Sequence, residues 1–252
     1  MLSSFGVFSR AAVLGSFFIP FSGATQTLNS NHTLLDSSVN YAISVYAAAV
    51  GSNARLYTGS QYKEVEVHDY DAGHPFFYSN DWSTGSVFYD GQHYTRVDML
   101  YDVTLDKVII ENPYSDAKIE LIQDRVAGFS MAGHHFVHLA ADTSSRSNLP
   151  SGFYDVLYNN GLKVFAKRSK EIVQKIDTGL EKKNFKEKNR YFIYKKGIYF
   201  PVKSKSSVLR VLGDRKTILK REIANHKIDF NQNRESAISQ VARFYDESEN
   251  RP

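Results

Sequence analysis

The sequence predicts an α+β protein. An N-terminal helix leads into an antiparallel β-meander, arranged as a curved sheet or half-barrel, and two or three short C-terminal helices follow. Apolar residues recur at helical spacing near both ends of the chain, whereas from about residue 55 they alternate with period two. Short turn signals separate the strand-like runs, and only antiparallel strands can be joined by such short turns. We therefore expect a signal peptide (1–25), a helical segment (26–54), a β domain (55–205) and a C-terminal helical segment packed on the same core (206–252).

The first residues are typical of an export signal. A single positive charge, Arg10, precedes an apolar run over residues 11–21, and the small residues Ser22, Gly23 and Ala24 follow. The run is about half of the roughly 20 residues that a membrane-spanning helix needs. The sequence therefore predicts an exported protein without a transmembrane span in its mature chain.

The first folded element is expected to be a helix over residues 36–50. Val39, Ile43 and Val50 fall on one face at helical spacing, and Gly51 stands where a helix would end. This helix would lead directly into the β domain.

Hairpin turns divide the β domain. Asp90 and Gly91 tolerate the positive φ of the tight turns that match strand twist. With the other signals they predict about ten strands, whereas the highly charged stretch 177–189 is predicted to be a loop. The five turn signals are Asp90-Gly91, Leu105–Lys107, Ala132-Gly133, Asn159–Gly161 and Lys195–Gly197.

Three apolar patterns near the C-terminus predict helices. Polar side chains can cap their first turns by accepting hydrogen bonds from free N–H groups. The candidate caps are Ser206 or Ser207 for the first helix, Asp214 for the second, and Asn231 or Asn233 for the third. The third helix is expected to face the core with Ala237, Ile238, Val241, Phe244 and Tyr245.

Charge is distributed unevenly along the chain. Residues 1–160 hold 8 Lys and Arg against 16 Asp and Glu, whereas residues 161–252 hold 23 against 11. A basic half indicates an anionic lipid, lipopolysaccharide or an acidic partner, or else solvated lysines on the outer faces of helices. We expect no nucleic-acid partner for an exported protein. The chain has no cysteine, which excludes disulfides, cysteine nucleophiles and cysteine–metal sites.

The stretch "HDYDAGHPFFYSNDW" (68–82) is the densest cluster of possible ligands. His68, Asp69, Asp71 and His74 supply nitrogen and oxygen donors suited to zinc, manganese or calcium. The same stretch also has a turn signal, and the His74-Pro75 step favours an extended backbone. In that structural interpretation its aromatic residues, Phe76, Phe77 and Trp82, are buried and cover one end of the sheet.

Two weaker candidates lie within predicted strands. His134 and His138 share one face of a strand but stand roughly 6.6–7 Å apart at Cα, too far to ligate one ion without a third group. Asp98, Asp102 and Asp106 could supply a carboxylate pair for acid–base chemistry, or bond the backbone at strand ends. Glycine-rich phosphate loops, dinucleotide fingerprints, His-Glu-x-x-His and G-x-S-x-G motifs do not occur, and no cofactor is predicted.

The mature chain resembles a group of uncharacterised exported proteins of Bacteroidota. The resemblance implies export into a Gram-negative envelope and identifies no site residue. The segments that carry it are "RLYTGSQY" (55–62), "GHPFFYSNDWSTGSVFYDGQHYTRVDMLYD" (73–102), "GFYDVLYNNGLKVFAKR" (152–168), "YFPVKSKSSVL" (199–209) and "ISQVARFYD" (238–246).

These features predict a non-enzymatic protein of the periplasm or outer membrane that binds a protein partner or an apolar or anionic ligand. One alternative is an accessory subunit of an outer-membrane machine that docks through its basic half. A second is a metal-dependent hydrolase that uses His68, Asp69, Asp71 and His74.

Overall fold

The computed structural model describes Tyr41, Val45 and residues 55–64, 73–112, 115–143, 147–177 and 180–249. The chain divides into two compact units, residues 1–48 and 49–252, and the fold below is that of the second. The signal peptide and, apart from Tyr41 and Val45, the helix predicted over 36–50 lie outside the described residues. In the ranges described, no helix is long and apolar enough to cross a membrane.

Most of the second unit is antiparallel β-sheet. The described strands are β1 (Ser60–Gln61), β2 (Ser83–Tyr89), β3 (Gln92–Asp102), β4 (Lys107–Glu111), β5 (Lys118–Glu120), β6 (Val126–Met131), β7 (His134–Leu139), β8 (Gly152–Asn159), β9 (Lys163–Lys167), β10 (Lys170–Asp177), β11 (Leu180–Glu187), β12 (Arg190–Lys195) and β13 (Ile198–Val202). Eleven of them form one sheet in the order β1-β5-β4-β3-β2-β6-β7-β8-β9-β12-β13. β10 and β11 form a separate two-stranded sheet.

The turns lie where the sequence signals predict them. Asp90 and Gly91 both have positive φ, 51° and 77°, between β2 and β3. Ala132-Gly133 and Lys196-Gly197 repeat this pattern between β6 and β7 and between β12 and β13. Each pair provides the backbone twist that a tight hairpin requires.

The large sheet departs from a simple meander where β1 pairs with β5, where β2 pairs with β6 and where β9 pairs with β12, and the second of these changes the direction of the sheet. β2 to β5 follow one another, but the chain then returns to pair β6 with β2 on its other side. The connection from β5 to β6 is only residues 121–125, and Gln123–Arg125 within it form a 3-10 turn. Leu121 N donates to Val108 O at 2.8 Å, and Asp90 N donates to Arg125 O at 2.8 Å, so hydrogen bonds hold both ends of this connection to the sheet.

Residues 177–189 belong largely to a hairpin, and the prediction of a charged loop was wrong. Lys170 of β10 lies opposite Glu187 of β11, and Glu171 lies opposite Lys186. Lys188, directly after β11, donates to the Glu171 carboxylate at 2.6 Å, so an ion pair also links the two strands. The prediction failed because it relied on alternating apolar residues, and this hairpin carries charged residues in their place.

Three helices follow the sheet: α1 (Lys205–Val211), α2 (Lys216–Asn225) and α3 (Arg234–Glu249). Ser204 caps α1 in a capping box with Ser207, two residues before the predicted caps Ser206 and Ser207. The Asn233 side chain accepts from Ser236 N at 2.9 Å and caps α3. Asp214 does not cap α2. It accepts hydrogen bonds from Lys195 and Tyr245 and so ties the β12–β13 turn to the helices.

The core has two main parts. One is an aromatic cluster inside β2–β8, to which Tyr101, Phe129, Phe136 and Phe153 contribute. The other joins β8, β9, β12 and β13 to the three helices. All five positions predicted to face inward on α3 are buried: Ala237, Ile238, Val241, Phe244 and Tyr245.

Candidate anion-binding site

His74 is the described member of the predicted metal cluster, since His68, Asp69 and Asp71 lie outside the described residues. Its ring stacks on Phe76 at 6.1 Å between centroids, and its Nδ1 is buried with no hydrogen-bond partner among the described residues. Burial lowers the pKa of His74, and the charge of Lys170 lowers it further. The Lys170 ammonium donates to the carbonyl oxygens of His74 and Phe76, at 2.9 and 2.7 Å. A fixed positive charge beside His74 disfavours a second cation there.

The aromatic residues after His74 follow the structural interpretation in part. Phe76 is buried in a small cluster with Tyr62. Phe77 and Trp82 are only partly buried, although both pack against the core. Phe77 also lies edge-on to His134, 4.9 Å between ring centroids. The stretch therefore covers the sheet with one fully buried ring and two half-buried ones.

The two strand histidines have separate partners. His134 Nδ1 lies 2.7 Å from Asp155 Oδ2, whereas the His138 ring packs against Phe153 at 5.2 Å between centroids. Within the described ranges, no group of three or more His, Asp or Glu side chains could hold a metal ion. Both histidines are thus part of the packing of β7 on β8.

The three candidate carboxylates are likewise engaged separately. Asp98 accepts from Thr84 Oγ1 on the exposed side of β3. Asp102 is fully buried, where it accepts from Tyr62 OH at 2.7 Å and from the backbone N–H groups of Thr104 and Leu105. These hydrogen bonds close the β3–β4 turn. Asp102 therefore bonds the backbone at the end of a strand, which is one of the two roles that the sequence allowed.

Asp106 forms an ion pair with the buried Lys167 that the sequence did not reveal. Lys167 Nζ donates to its Oδ2 at 2.6 Å, and Tyr101 OH donates to its Oδ1 at 2.6 Å. Gly152, with φ of 131°, lies so close to this pair that a Cβ there would overlap both charged groups. Burial lowers the pKa of Lys167, and the Asp106 charge opposes that shift. The pair links the β3–β4 turn to β9.

A second buried ion pair joins the sheet to α3. Asp155, 1% exposed, accepts from the Nε and Nη2 groups of Arg168. The same guanidinium donates to both carboxylate oxygens of Glu235, at 2.6 and 2.9 Å. Burial lowers the pKa of Arg168, but the hydrogen bonds with Glu235 and Asp155 outweigh burial and raise it above its ordinary value. This network holds the first turn of α3, and with it Arg234, against β9.

A cavity of about 780 Å³ opens between the helices, and we call it the helical cavity. Leu209, Ile228 and Phe230 contribute apolar surface to its wall. Five exposed cations and one carboxylate, Asp229, also line it. The cations are Lys203, Lys205, Lys216, Lys220 and Arg234.

A second cavity of about 380 Å³ lies beside the outer strand β13, and we call it the edge cavity. Apolar surface here comes from Tyr191, Phe192, Pro201 and Val202. The cations that line it are Arg190, Lys203, Arg210 and Arg234, and the described residues of its lining include no carboxylate. Lys203 and Arg234 belong to both cavities.

The seven cations of the two cavities differ from the basic residues that form ion pairs within the fold. None of them forms an ion pair with a carboxylate of the described chain, whereas Lys107, Lys167, Arg168, Lys188 and Lys195 all do. Lys216 and Lys220 lie one helical turn apart on α2, so their side chains lie on one face. The basic C-terminal half was visible in the sequence, but its convergence on two cavities depends on how β12, β13 and the helices pack.

Comparison of the chain with protein-family models, with curated proteins and with solved structures found no match. The interpretation of the cavities therefore depends on their own geometry and charge.

Proposed function

We propose that this is an exported, non-enzymatic protein of a Gram-negative envelope, and that it binds an anionic ligand in the helical cavity. The observation that carries the proposal is the group of five unpaired cations around a cavity with apolar surface in its wall. The signal-like N-terminus and the resemblance to exported Bacteroidota proteins support the location, in the periplasm or at the outer membrane.

The charge of the helical cavity favours anions strongly. Five cations face a single carboxylate, Asp229, so the local field attracts negative groups. Lys and Arg side chains form their strongest hydrogen bonds with carboxylates, phosphates and other oxyanions. The apolar surface of Leu209 and Phe230 would contact the uncharged part of such a ligand.

The interior of the large sheet is an unsuitable alternative for a ligand. Phe129 and Phe136 stack at 4.6 Å between centroids, and Tyr101 lies edge-on to Phe136 at 5.1 Å. Phe153 packs on Phe129 at 5.2 Å. These rings fill the space that a carrier of the barrel type would leave for its cargo. Binding at the helical end is therefore the proposal that the packing favours.

We further infer that β2–β6 curve into a half-barrel. In a flat sheet β5 and β6 would stand about 19 Å apart sideways, four strand spacings of about 4.8 Å each. β5 also ends beside the start of β4, whereas β6 begins beside Tyr89 at the end of β2. The five-residue connection 121–125 cannot cover both distances, because its 3-10 turn rises only about 2 Å per residue. Curling of the sheet would bring the two strands together.

The two alternatives have less support. The metal-dependent hydrolase would need His74 as a ligand, and the Lys170 ammonium stands beside it. The accessory subunit would use the same basic surface as the proposed ligand site, but through contact with a protein. Crosslinking in intact envelopes separates the two, because a subunit would give one reproducible protein partner.

The test uses a compact polyanion, inositol hexakisphosphate, and calorimetric titration of the mature chain at about 0.15 M salt. We expect binding by the wild type and loss of at least about tenfold in affinity in the Lys216→Ala/Lys220→Ala variant, because two phosphate contacts disappear. Uncharged myo-inositol should not bind.

The matched control is Arg221→Ala/Arg243→Ala. It removes the same charge from α2 and α3, but both arginines lie outside the cavity lining and near Glu222 and Glu247. Its affinity should remain within about twofold of the wild type. Equal weakening in both variants would show attraction to net charge only, and the proposal would then be rejected.

A further inference from the structure

The two cavities are neighbours, because Lys203 and Arg234 line both of them. We infer that the ligand is an extended acidic polysaccharide that passes from the helical cavity over Arg234 into the edge cavity. This inference depends on the proposed anion binding in the helical cavity. It adds the class of the ligand and a second place where the ligand is held.

The edge cavity combines three kinds of surface that an acidic sugar requires. Arg190 and Arg210 are exposed, and their planar guanidinium groups can bind a carboxylate or sulfate through two parallel hydrogen bonds. The exposed ring of Pro201 provides apolar surface for the face of a sugar ring. The exposed amide of Asn148 provides both a donor and an acceptor for hydroxyl groups.

The seven cations that line the two cavities form one tract, which the cavities share through Lys203 and Arg234. It runs from Arg190 on β12 through the shared Lys203 and Arg234 to Lys220 on α2. A polymer with one negative group on every unit can place successive groups against successive cations. Each added unit then binds at a high effective concentration, so affinity increases with chain length until the tract is filled.

The aromatic residues disfavour a single-stranded nucleic acid as the ligand. Proteins that hold such strands offer aromatic faces on which successive bases stack. In the two cavities Phe192 and Phe230 are buried, and Tyr191 is half-buried, so the described lining has no exposed aromatic ring.

An acidic peptide is disfavoured by the edge strand itself. A peptide that binds at a sheet edge does so by adding a strand, and its main chain then pairs with the row of N–H and C=O groups on that edge. β13 is the outer strand of the sheet and contains Pro201, which has no N–H to donate. A sugar chain needs no such row of backbone groups.

The test is calorimetric titration of the mature chain with oligogalacturonates of two to ten units at about 0.15 M salt. We expect the dissociation constant to fall at least about tenfold from the dimer to the decamer. The Arg190→Ala/Arg210→Ala variant changes the edge cavity only. In this variant the gain in affinity with chain length should disappear, whereas inositol hexakisphosphate should bind as in the wild type. Arg221→Ala/Arg243→Ala should keep the gain, and thermal melting shows whether each variant is folded.

Each outcome distinguishes this inference from the proposed function. If inositol hexakisphosphate binds but oligogalacturonate shows no gain with length, only the polysaccharide inference is rejected. The same holds if the gain persists without Arg190 and Arg210, or if oligothymidylate, oligoglutamate or linear polyphosphate of equal charge binds as tightly. If neither inositol hexakisphosphate nor oligogalacturonate binds, both conclusions are rejected.

Discussion

Basic side chains serve two different purposes in two regions of this protein. At the end of β9, Lys167 and Arg168 are each 7% exposed and are paired with Asp106 and Asp155. Around the two cavities, the cations are exposed and have no carboxylate partner in the described chain. A charge taken out of water is destabilising unless a partner compensates it, whereas an exposed charge needs no partner. The paired cations at the end of β9 therefore stabilise the fold, whereas the unpaired cations of the two cavities remain accessible to an anion.

The comparison also shows how the two regions depend on each other. Arg168 bonds Glu235, the neighbour of Arg234, so the buried network positions a cation that lines both cavities. Damage to the paired region should unfold or loosen the protein, whereas changes in the unpaired region should affect binding alone. The following four predictions test this division, from the largest expected effect to the smallest.

The largest effect is expected for Asp155→Ala. The change removes the fully buried carboxylate from the Arg168 guanidinium and leaves it paired with the more exposed Glu235, which should lower the free energy of unfolding by about 3–5 kcal/mol. Urea denaturation followed by circular dichroism measures the loss. Glu171→Ala is the control, because it breaks only the exposed pair with Lys188 and should cost about 0–1 kcal/mol. Equal losses in the two variants would contradict the structural role of the buried pair.

A smaller loss is expected for Asp106→Asn. The amide keeps the size of the carboxylate, but it removes the charge that compensates Lys167 and can turn a donor towards other donors. The free energy of unfolding should fall by about 1–3 kcal/mol. Asp98→Asn, on the exposed side of β3, serves as the comparison and should change stability by less than about 0.5 kcal/mol. An Asp106→Asn variant as stable as the wild type would show that this ion pair does not hold β9 to the β3–β4 turn.

A modest pH dependence is expected from His74, whose pKa burial and Lys170 lower. The unfolded chain binds a proton at pH values below about 6.5 more readily than the folded chain does. Acid therefore favours unfolding, and the free energy of unfolding should fall as pH drops from 7 to 5.5. In His74→Phe this fall should be smaller. Glu120 and Asp214, whose pKa values are also lowered, add their own loss only at lower pH, so they do not obscure this window. An unchanged slope in His74→Phe would contradict the prediction.

The smallest effect on stability is expected for Lys216→Ala/Lys220→Ala. Both side chains are exposed on α2, and alanine is a good helix former, so the free energy of unfolding should change by less than about 0.5 kcal/mol per site. Urea denaturation of the variant used in the inositol hexakisphosphate titration checks this. A loss above 2 kcal/mol, taken as about four times the expected limit per site, would mean that these cations support the fold and would remove the distinction between the two regions.

Local features of the fold could be predicted from the sequence. Asp90 and Gly91 adopt the positive φ that their side chains tolerate, and α3 buries the face that its apolar spacing indicates. The β10–β11 hairpin could not be predicted in this way, because pairing between charged strands leaves no apolar alternation. The return of β6 to β2 was also not predicted, because the pairing partner of a strand depends on distant residues.

Of the candidate site, only its basic character could be predicted from the sequence. The excess of Lys and Arg after residue 160 indicated anion binding or a solvated surface, and the placement of basic residues between apolar helix positions favoured the solvated surface. The densest cluster of possible ligands, around His74, has in its described part a lysine and aromatic packing but no group of carboxylates. Side-chain type alone did not reveal this, because Lys170 lies 96 positions along the chain from His74.

The sequence by itself determined the turns, the inward face of α3 and the basic character of the C-terminal half, because each depends on residues close together in the chain. Only the tertiary structure decided which cations are neutralised and which remain free. Arg168 meets Asp155 because β9 pairs with β8, whereas Arg190, Arg210, Lys220 and Arg234 come from four separate elements and meet no carboxylate of the described chain. Electrostatic pairing depends on distance in space, and that distance is set by the packing of strands and helices.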